Sequence, residues 1–228
     1  MASRDHQPGY AKYYRGRLSN LTEKSTDDDV RRVYDDWAGD YDKDLDSAGC
    51  VFYKPMVEFF DNAINEVFQG KKSKSQIRIM DAGAGTGLIG VELHKQGYSD
   101  VDALDISQEM LNEAKKKNAY RKFICAPLSD QRTPGVETDE YDALICVGTL
   151  IFSHVRPTAF VELIRMVRNG GLVCFTIRAD GVKDFSEKIA ELENQGKWIL
   201  VKEGKVPHYN KEDMPRECSA FAYKVSKN

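Results

Sequence analysis

The chain has 228 residues and a formal net charge of -3, with 33 basic and 36 acidic residues interspersed along it. This length suits one domain with its own core, and the lack of a strongly basic stripe disfavours nucleic acid as the main partner. No stretch of the sequence approaches the roughly 20 apolar residues of a membrane span, and the first residues do not resemble a signal peptide. We therefore expect a cytoplasmic protein, with nuclear access left open and no membrane partner.

The first part of the chain predicts a tail and two helices. Residues 1–25 are polar and weakly patterned, as in a flexible tail or a flap that orders on a partner. The acids at 27–29 favour the N-terminus of a first helix. A second helix, from Pro55 to Gly70, has a regular apolar face and should pack on a sheet. The predicted division is a tail (1–25), a helical cap (26–70) and an α/β domain (71–228).

Strands and helices alternate in the rest of the chain, which is typical of a parallel, doubly wound sheet. The predicted strands cover 77–81, 101–105, 121–125, 141–147, 172–177, 198–201 and 220–225. The predicted helices cover 86–96, 108–117, 184–195 and a segment from 157 to the glycines at 170–171. The last two strands would pair through a long polar connection. The fold class is therefore α/β, a Rossmann-like, mostly parallel seven-stranded sheet with helices on both faces and a C-terminal antiparallel hairpin.

The most informative segment runs from Ile77 to Gly87 and reads Ile-Arg-Ile-Met-Asp-Ala-Gly-Ala-Gly-Thr-Gly. Its apolar residues suit a strand buried on both faces, and its glycines let the backbone turn sharply and approach a ligand. A helix starting near Thr86 would direct its free N–H groups at that ligand. Leu88 stands where a dinucleotide fingerprint has its third glycine, which weakens a nicotinamide interpretation.

Asp105 ends the next predicted strand about twenty residues after the glycines, where a ribose-binding carboxylate is expected. Its two oxygens could accept hydrogen bonds from both hydroxyls of a ribose. The alternative is that Asp105 only caps a helix that begins near Ser107.

Four segments together resemble a known family. Residues 34–42 are similar to a Tyr-Asp-x-Trp-Ala-x-x-Tyr-Asp signature, and they precede the glycine motif at 81–88 and the segments 141–148 and 170–174. In this order they resemble the class I S-adenosylmethionine-dependent methyltransferases and, among these, the Williams–Beuren-region methyltransferase-like family. The resemblance covers about residues 30–180 and identifies the α/β domain as a class I methyltransferase domain.

The resemblance implies S-adenosylmethionine as the cofactor. Gly83 and Gly85 would border its methionine and ribose, and Asp81 would hold its amino group directly or through water. Ile106 would lie against adenine, and the Leu128 backbone N–H would donate to the adenine edge. The cofactor-binding residues implied in this way are Tyr34, Trp37, Tyr41, Asp81, Gly83, Gly85, Asp105, Ile106, Leu128 and Val147.

The chain departs from the family pattern after the third strand. Many class I enzymes place an acid there to accept the adenine amino group, whereas this chain has Ala126, Pro127 and Leu128. Ser129 or Asp130 could substitute for that acid. Without either, apolar contact and one backbone hydrogen bond would hold adenine, which predicts modest cofactor affinity.

The aromatic residues of the signature have two interpretations. Tyr34, Trp37 and Tyr41 could close over the cofactor and attract its positive sulfonium through their ring faces. Alternatively, their helical spacing could pack them into the core.

The sequence does not identify a catalytic base. Methyl transfer needs one only if the acceptor arrives protonated, and the candidates are His154, Tyr53 and Asp180. Of the two interpretations of His154, a surface loop residue is favoured over a pocket residue. Arg178, at the end of the fifth strand, could pair an acidic acceptor or a nearby acid such as Asp184. The scattered histidines predict no metal site.

We therefore expect a methyltransferase that acts on a small-molecule acceptor, with a protein acceptor left open. The alternatives are a non-catalytic scaffold that binds S-adenosylmethionine and, less favoured, a nicotinamide-dependent oxidoreductase.

Overall fold

The computed structural model describes residues 17–178 and 181–227. Asp180 and most of the predicted tail lie outside these residues. The strands are β1 (Ile79–Ala82), β2 (Val101–Asp105), β3 (Lys122–Cys125), β4 (Tyr141–Cys146), β5 (Val167–Arg178), β6 (Trp198–Pro207) and β7 (Glu217–Val225). The helices are α1 (Asp27–Trp37), α2 (Tyr41–Ala48), α3 (Tyr53–Phe68), α4 (Leu88–Lys95), α5 (Gln108–Lys116), α6 (Phe160–Met166) and α7 (Val182–Asn194).

The described strands form one sheet in the order β3-β2-β1-β4-β5-β7-β6. Strands β1 to β5 are parallel, and β7 pairs antiparallel with both β5 and β6. The predicted fold class is confirmed. The chain runs outward from β1 to β3 and then returns to place β4 on the other side of β1. Ligands of open α/β sheets bind at such a reversal, outside the carboxyl ends of the strands.

Both faces of the sheet are covered. Successive residues of β1 belong to different core clusters, because side chains alternate across a strand: Ile79 packs with α3, whereas Met80 packs on the other face with Phe160. Phe60 of α3 is fully buried, so this helix packs on the sheet as expected. The burial of β1, β2 and β4 on both faces explains their continuous apolar character.

Two of the differences from the prediction lie in the C-terminal half of the sheet. The hairpin is longer, since β6 pairs with β7 as far as Pro207 and Glu217, and solvent-facing polar residues hide this strand character from a hydrophobicity pattern. The glycines at 170–171 lie inside β5 instead of ahead of it. The register with β4 shifts there, and a Cβ on Gly171 would lie 2.4 Å from the Asp142 carbonyl oxygen. This bulge therefore requires glycine.

Candidate functional site

A cavity opens at the carboxyl ends of β1, β2 and β4. It brings together residues from segments far apart in the sequence: α1, the glycine loop and the loops after β2, β3 and β4. The predicted site residues that line it are Tyr34, Tyr41, Gly83, Gly85, Asp105, Ile106, Leu128 and Val147. Trp37 lines an adjoining cavity, and Asp81 is buried at the end of β1. We call the first of these the inner cavity.

The Asp105 carboxylate is fixed on the wall of the inner cavity. Its Oδ2 accepts from the Gly85 backbone N–H at 2.8 Å, and its Oδ1 accepts from the Ser107 N–H at 2.9 Å. The cap of α5 is the Ser107 side chain, which accepts from the Met110 N–H. Asp105 is therefore not merely a helix cap. Burial raises its pKa to about 6, although the backbone N–H donors oppose this, so the carboxyl is mainly ionised at neutral pH.

The glycine loop has positive φ angles that favour glycine. Gly83 has φ 78°, and a Cβ there would lie 2.1 Å from Oγ1 of Thr149. Gly85 has φ 53°, and within the described part of the chain no atom lies within 4 Å of where its Cβ would be. The α4 helix starts at Leu88, two residues later than predicted, because Gly87 is also left-handed.

Asp81 lies in a hydrogen-bonded chain behind the loop. Tyr120 donates to Asp81 Oδ2 at 2.6 Å, and the Gly90 N–H donates to the Tyr120 hydroxyl at 3.1 Å. Asp81 Oδ1 has no hydrogen-bond partner within residues 17–178 and 181–227, and Asp81 is 1% exposed. Burial and the nearby charge of Asp105 raise the pKa of Asp81 to about 7. One acceptor oxygen therefore remains for a donor on a ligand or a water.

Two carboxylates attach the N-terminal helices to this site. Asp42 of α2 accepts from the Thr86 hydroxyl and pairs with Lys117 Nζ at 2.7 Å. Lys117 also donates to the Thr86 carbonyl oxygen at 2.7 Å. Asp35 of α1 accepts from the Ser107 hydroxyl at 2.6 Å. We call these contacts the Asp42 latch and the Asp35 latch; the first ties α2 to the glycine loop and the second ties α1 to the loop after β2.

The three aromatic residues of the signature divide between the two interpretations. The Trp37 ring is 2% exposed, lies 4.7 Å from the Tyr41 ring and donates through Nε1 to Asp44 Oδ2 at 2.8 Å. It thus packs α1 against α2. Tyr34 and Tyr41, in contrast, line the inner cavity.

A second cavity adjoins the first, and we call it the outer cavity. The two share Tyr34, Tyr41 and Gly148 as a common wall. Its other lining residues are mostly apolar or aromatic: Trp37, Leu45, Phe52, Leu150, Ile151, Thr176, Arg178, His208 and Cys218. The two cavities therefore border each other at these three residues.

Comparison with known proteins agrees with this geometry. Residues 79–171 match the family described as "Methyltransferase domain". Methyltransferase-like protein 27 of Homo sapiens is 30% identical over 170 residues, covering 72% of this chain and 66% of the human protein. This chain contains a methyltransferase domain. Malonyl-[acyl-carrier protein] O-methyltransferase of Pectobacterium atrosepticum is 28% identical over 59% of this chain and 51% of that enzyme. The chain thus spans between about half and two thirds of these relatives.

Solved structures show the same methyltransferase fold. The magnesium protoporphyrin IX methyltransferase of Synechocystis, crystallised with S-adenosylmethionine, superimposes with a TM-score of 0.63 and 16% identity. The match covers 90% of this chain and all of that one. S-adenosylmethionine is the cofactor of this family, so the nicotinamide alternative is not retained.

His154 is half-buried beside the inner cavity and is not the surface loop residue that the sequence favours. It lines the inner cavity, and its ring lies 5.6 Å from the Tyr34 ring. Nδ1 is 2.8 Å from the Ser153 hydroxyl, and Nε2 has no hydrogen-bond partner in the described ranges. Burial lowers the pKa of His154 to about 4, so the ring is neutral at physiological pH. Its position depends on the loop after β4, which carries no distinctive pattern.

The other candidate polar residues take different positions. Tyr53 lines neither the inner nor the outer cavity and packs against the Phe52 ring at 4.5 Å. Arg178 lines the outer cavity. Asp180 lies outside the described residues. Among those described, no group of His, Cys, Asp or Glu side chains is arranged to hold a metal ion, and none of the helices has the length and apolarity to cross a membrane.

The two residues that could substitute for the missing adenine-binding acid, Ser129 and Asp130, do not line the inner cavity. Asp130 is exposed and accepts from the Gln131 side chain, and the Ser129 hydroxyl accepts from the Gln131 N–H. Sequence reasoning missed several residues that do line the inner cavity: Asp27, Val30, Met110, Pro127, Thr149 and Val155. A signal for two of them exists, since Asp27, Val30 and Tyr34 are spaced to share one face of α1.

Proposed function

We propose that this chain transfers a methyl group from S-adenosylmethionine to a small-molecule acceptor. The observation that carries the proposal is the Asp105 carboxylate, which the Gly85 N–H fixes on the wall of the inner cavity. Each of its oxygens already accepts one backbone N–H and has a second lone pair, which can accept a hydrogen bond from a ribose hydroxyl. When bound, S-adenosylmethionine would supply a methyl carbon attached to a positively charged sulfur.

The residues around Asp105 fit the rest of this cofactor. The unpartnered Asp81 Oδ1 suits the amino group of the methionine part, and the open space beside Gly85 lets a ligand approach the backbone. Ile106 and Val147 would contact the adenine and methionine parts. The Leu128 N–H would donate to the adenine edge. Trp37 would contribute indirectly, because it fixes the helix that carries Tyr34.

The common wall of the two cavities supports an in-line reaction. Displacement at the methyl carbon requires the acceptor on the side opposite sulfur, and the outer cavity, which borders the inner one at Tyr34, Tyr41 and Gly148, offers an adjacent place for an acceptor. Tyr34 and Tyr41 would attract the positive charge through their ring faces and exclude water from the junction. Residues 26–70 would act as a cap, because the Asp35 and Asp42 latches hold α1 and α2 over the cofactor.

The lining of the outer cavity supports an acceptor with an apolar body. Aromatic and aliphatic side chains predominate, while Arg178 and His208 provide polar contacts. The relatives named above act on malonyl-[acyl-carrier protein] and magnesium protoporphyrin IX, so this fold accommodates both carrier-linked and free acceptors. A protein acceptor remains open. If the acceptor arrives protonated, the candidate base is the neutral His154 imidazole, which lies in the inner cavity beside Tyr34 of the common wall.

The proposal is tested by calorimetric titration with S-adenosylmethionine, S-adenosylhomocysteine and NADH. We expect the two adenosyl ligands to bind and NADH not to bind. If neither adenosyl ligand binds, the proposal is overturned. A fold does not guarantee catalysis. Candidate acceptors are therefore screened next, with S-adenosylmethionine labelled in its methyl group as the donor. Binding without any labelled product across the screen would favour the scaffold alternative.

A further inference from the structure

The adenine end of the inner cavity lacks an acid on the loop after β3. Pro127 and Leu128 line the cavity there, whereas Ser129 and Asp130 bond to Gln131 outside it. Leu128 offers a backbone N–H donor, but the loop offers no carboxylate for an amino group. A carboxylate that accepts a hydrogen bond from the adenine amino group must therefore come from another helix or loop.

Helix α1 supplies such a group. Asp27, Val30 and Tyr34 all line the cavity and share one helical face. Tyr34 belongs to the wall between the two cavities, where methyl transfer would occur. Asp27 lies seven residues earlier, which is roughly 10 Å along the helix axis. Asp27 lines the inner cavity only, so it lies away from that wall, and the adenine base would likewise lie away from the methyl group.

The three acids of the first turn of α1 have different surroundings. Asp28 pairs with Arg31 at 2.9 Å, and Asp29 accepts from the Thr26 N–H at 2.9 Å in a capping box. Asp27 forms no ion pair or side-chain hydrogen bond within residues 17–178 and 181–227, and it is an exposed residue that borders the cavity. Asp27 is thus the acid of this turn that a ligand can reach.

We propose that Asp27 accepts a hydrogen bond from the 6-amino group of adenine, so that α1 provides the base-specific contact that the β3 loop lacks. This inference rests on the proposed function. A carboxylate accepts from an amino group and repels a carbonyl oxygen in the same place, so Asp27 would select adenine over a 6-oxopurine. It would also link recognition of the base to the position of Tyr34, because Asp27 and Tyr34 belong to one helix.

The test compares S-adenosylhomocysteine with S-inosylhomocysteine, in which a carbonyl oxygen replaces the amino group. Calorimetric titration of the wild-type protein should show at least about a tenfold preference for the adenosyl ligand. In Asp27→Asn that preference should fall below about threefold, since an amide can donate to the 6-oxo group as readily as it accepts from the amino group.

Asp28→Asn is the matched control, because it removes the same charge from the same helix turn on a residue that does not line the cavity. It should retain the wild-type preference. An unchanged preference in Asp27→Asn, or an equal loss in Asp28→Asn, would overturn the role of Asp27 while leaving the proposed function intact. If the wild-type protein bound neither ligand, the proposed function itself would fail.

Discussion

The Gly85 backbone N–H donates to Asp105 Oδ2 over 2.8 Å and joins two motifs that lie 20 residues apart in the chain. The bond links the glycine loop after β1 to the carboxyl end of β2, and both elements border the inner cavity. It orients the carboxylate before any ligand arrives, so binding does not have to order that side chain. Four predictions follow from this site and from the groups that support it.

Asp105→Asn should weaken S-adenosylmethionine binding by about 10- to 100-fold, because hydrogen bonds to a charged acceptor contribute about 1.5–3 kcal/mol. The substitution removes the charge and one of the two acceptor oxygens. Isothermal titration calorimetry gives the dissociation constants. Asp130→Asn, on the exposed neighbouring loop, should bind like the wild type. Equal affinity in Asp105→Asn and the wild type would exclude Asp105 as the ribose ligand.

Gly85→Ala and Gly135→Ala form a matched pair, since both glycines have positive φ and open space where a Cβ would lie. Each substitution should lower the free energy of unfolding by about 1–2 kcal/mol, the cost of a left-handed alanine. Only Gly85→Ala should also weaken cofactor binding, because only Gly85 borders the inner cavity. Urea unfolding and calorimetry separate the two effects. Equal cofactor affinities in the pair would contradict the close approach of a ligand at Gly85.

Asp81→Asn should make stability less sensitive to pH. The pKa of Asp81 rises from 3.8 to about 7 on folding, chiefly through burial. The folded state therefore holds the proton more tightly, and wild-type stability should fall as pH rises from about 4 to about 7. Asn cannot ionise, so the variant should gain about 2–3 kcal/mol relative to the wild type between pH 5 and pH 8.

The measurement for Asp81→Asn is urea unfolding of both proteins at several pH values without ligand. The variant Tyr120→Phe removes the hydroxyl that donates to Asp81. Comparing its stability with that of the wild type gives the contribution of this hydrogen bond. Parallel stability curves for the wild type and Asp81→Asn would show that Asp81 does not titrate in this range.

Asp42→Asn should loosen the cap while preserving the sheet. It removes the ion pair with Lys117 and weakens the contact to Thr86, a loss of about 0.5–1 kcal/mol for a partly exposed pair. Amide hydrogen exchange should accelerate in residues 41–48, and cofactor affinity should fall a few-fold. Asp46→Asn, an exposed acid on the same helix, is the control. Identical exchange in the two variants would show that the Asp42 latch does not hold α2.

The fold was predictable from the sequence because its signals are local. A buried strand of a parallel sheet is apolar throughout, and a sharp turn at a ligand needs glycine, so β1, β2, β4 and the glycine loop are recognisable from a few neighbouring residues. The family signature then indicated Tyr34 and Tyr41, which do line the inner cavity. The length of the β6–β7 hairpin was missed because its solvent-facing residues carry no hydrophobic signal.

The sequence by itself determined the strand and helix types, the glycine loop and the acid at the end of β2, since these depend on residues close together in the chain. Only the tertiary structure decided that Asp27 lines the same cavity as the loop after β3, that His154 lines this cavity too and that Asp42 meets Thr86. The sheet order brings these residues together across 44 to more than 100 positions of sequence. A local pattern cannot encode such pairs, because which polar side chains meet depends on how helices and loops pack at the edge of the finished sheet.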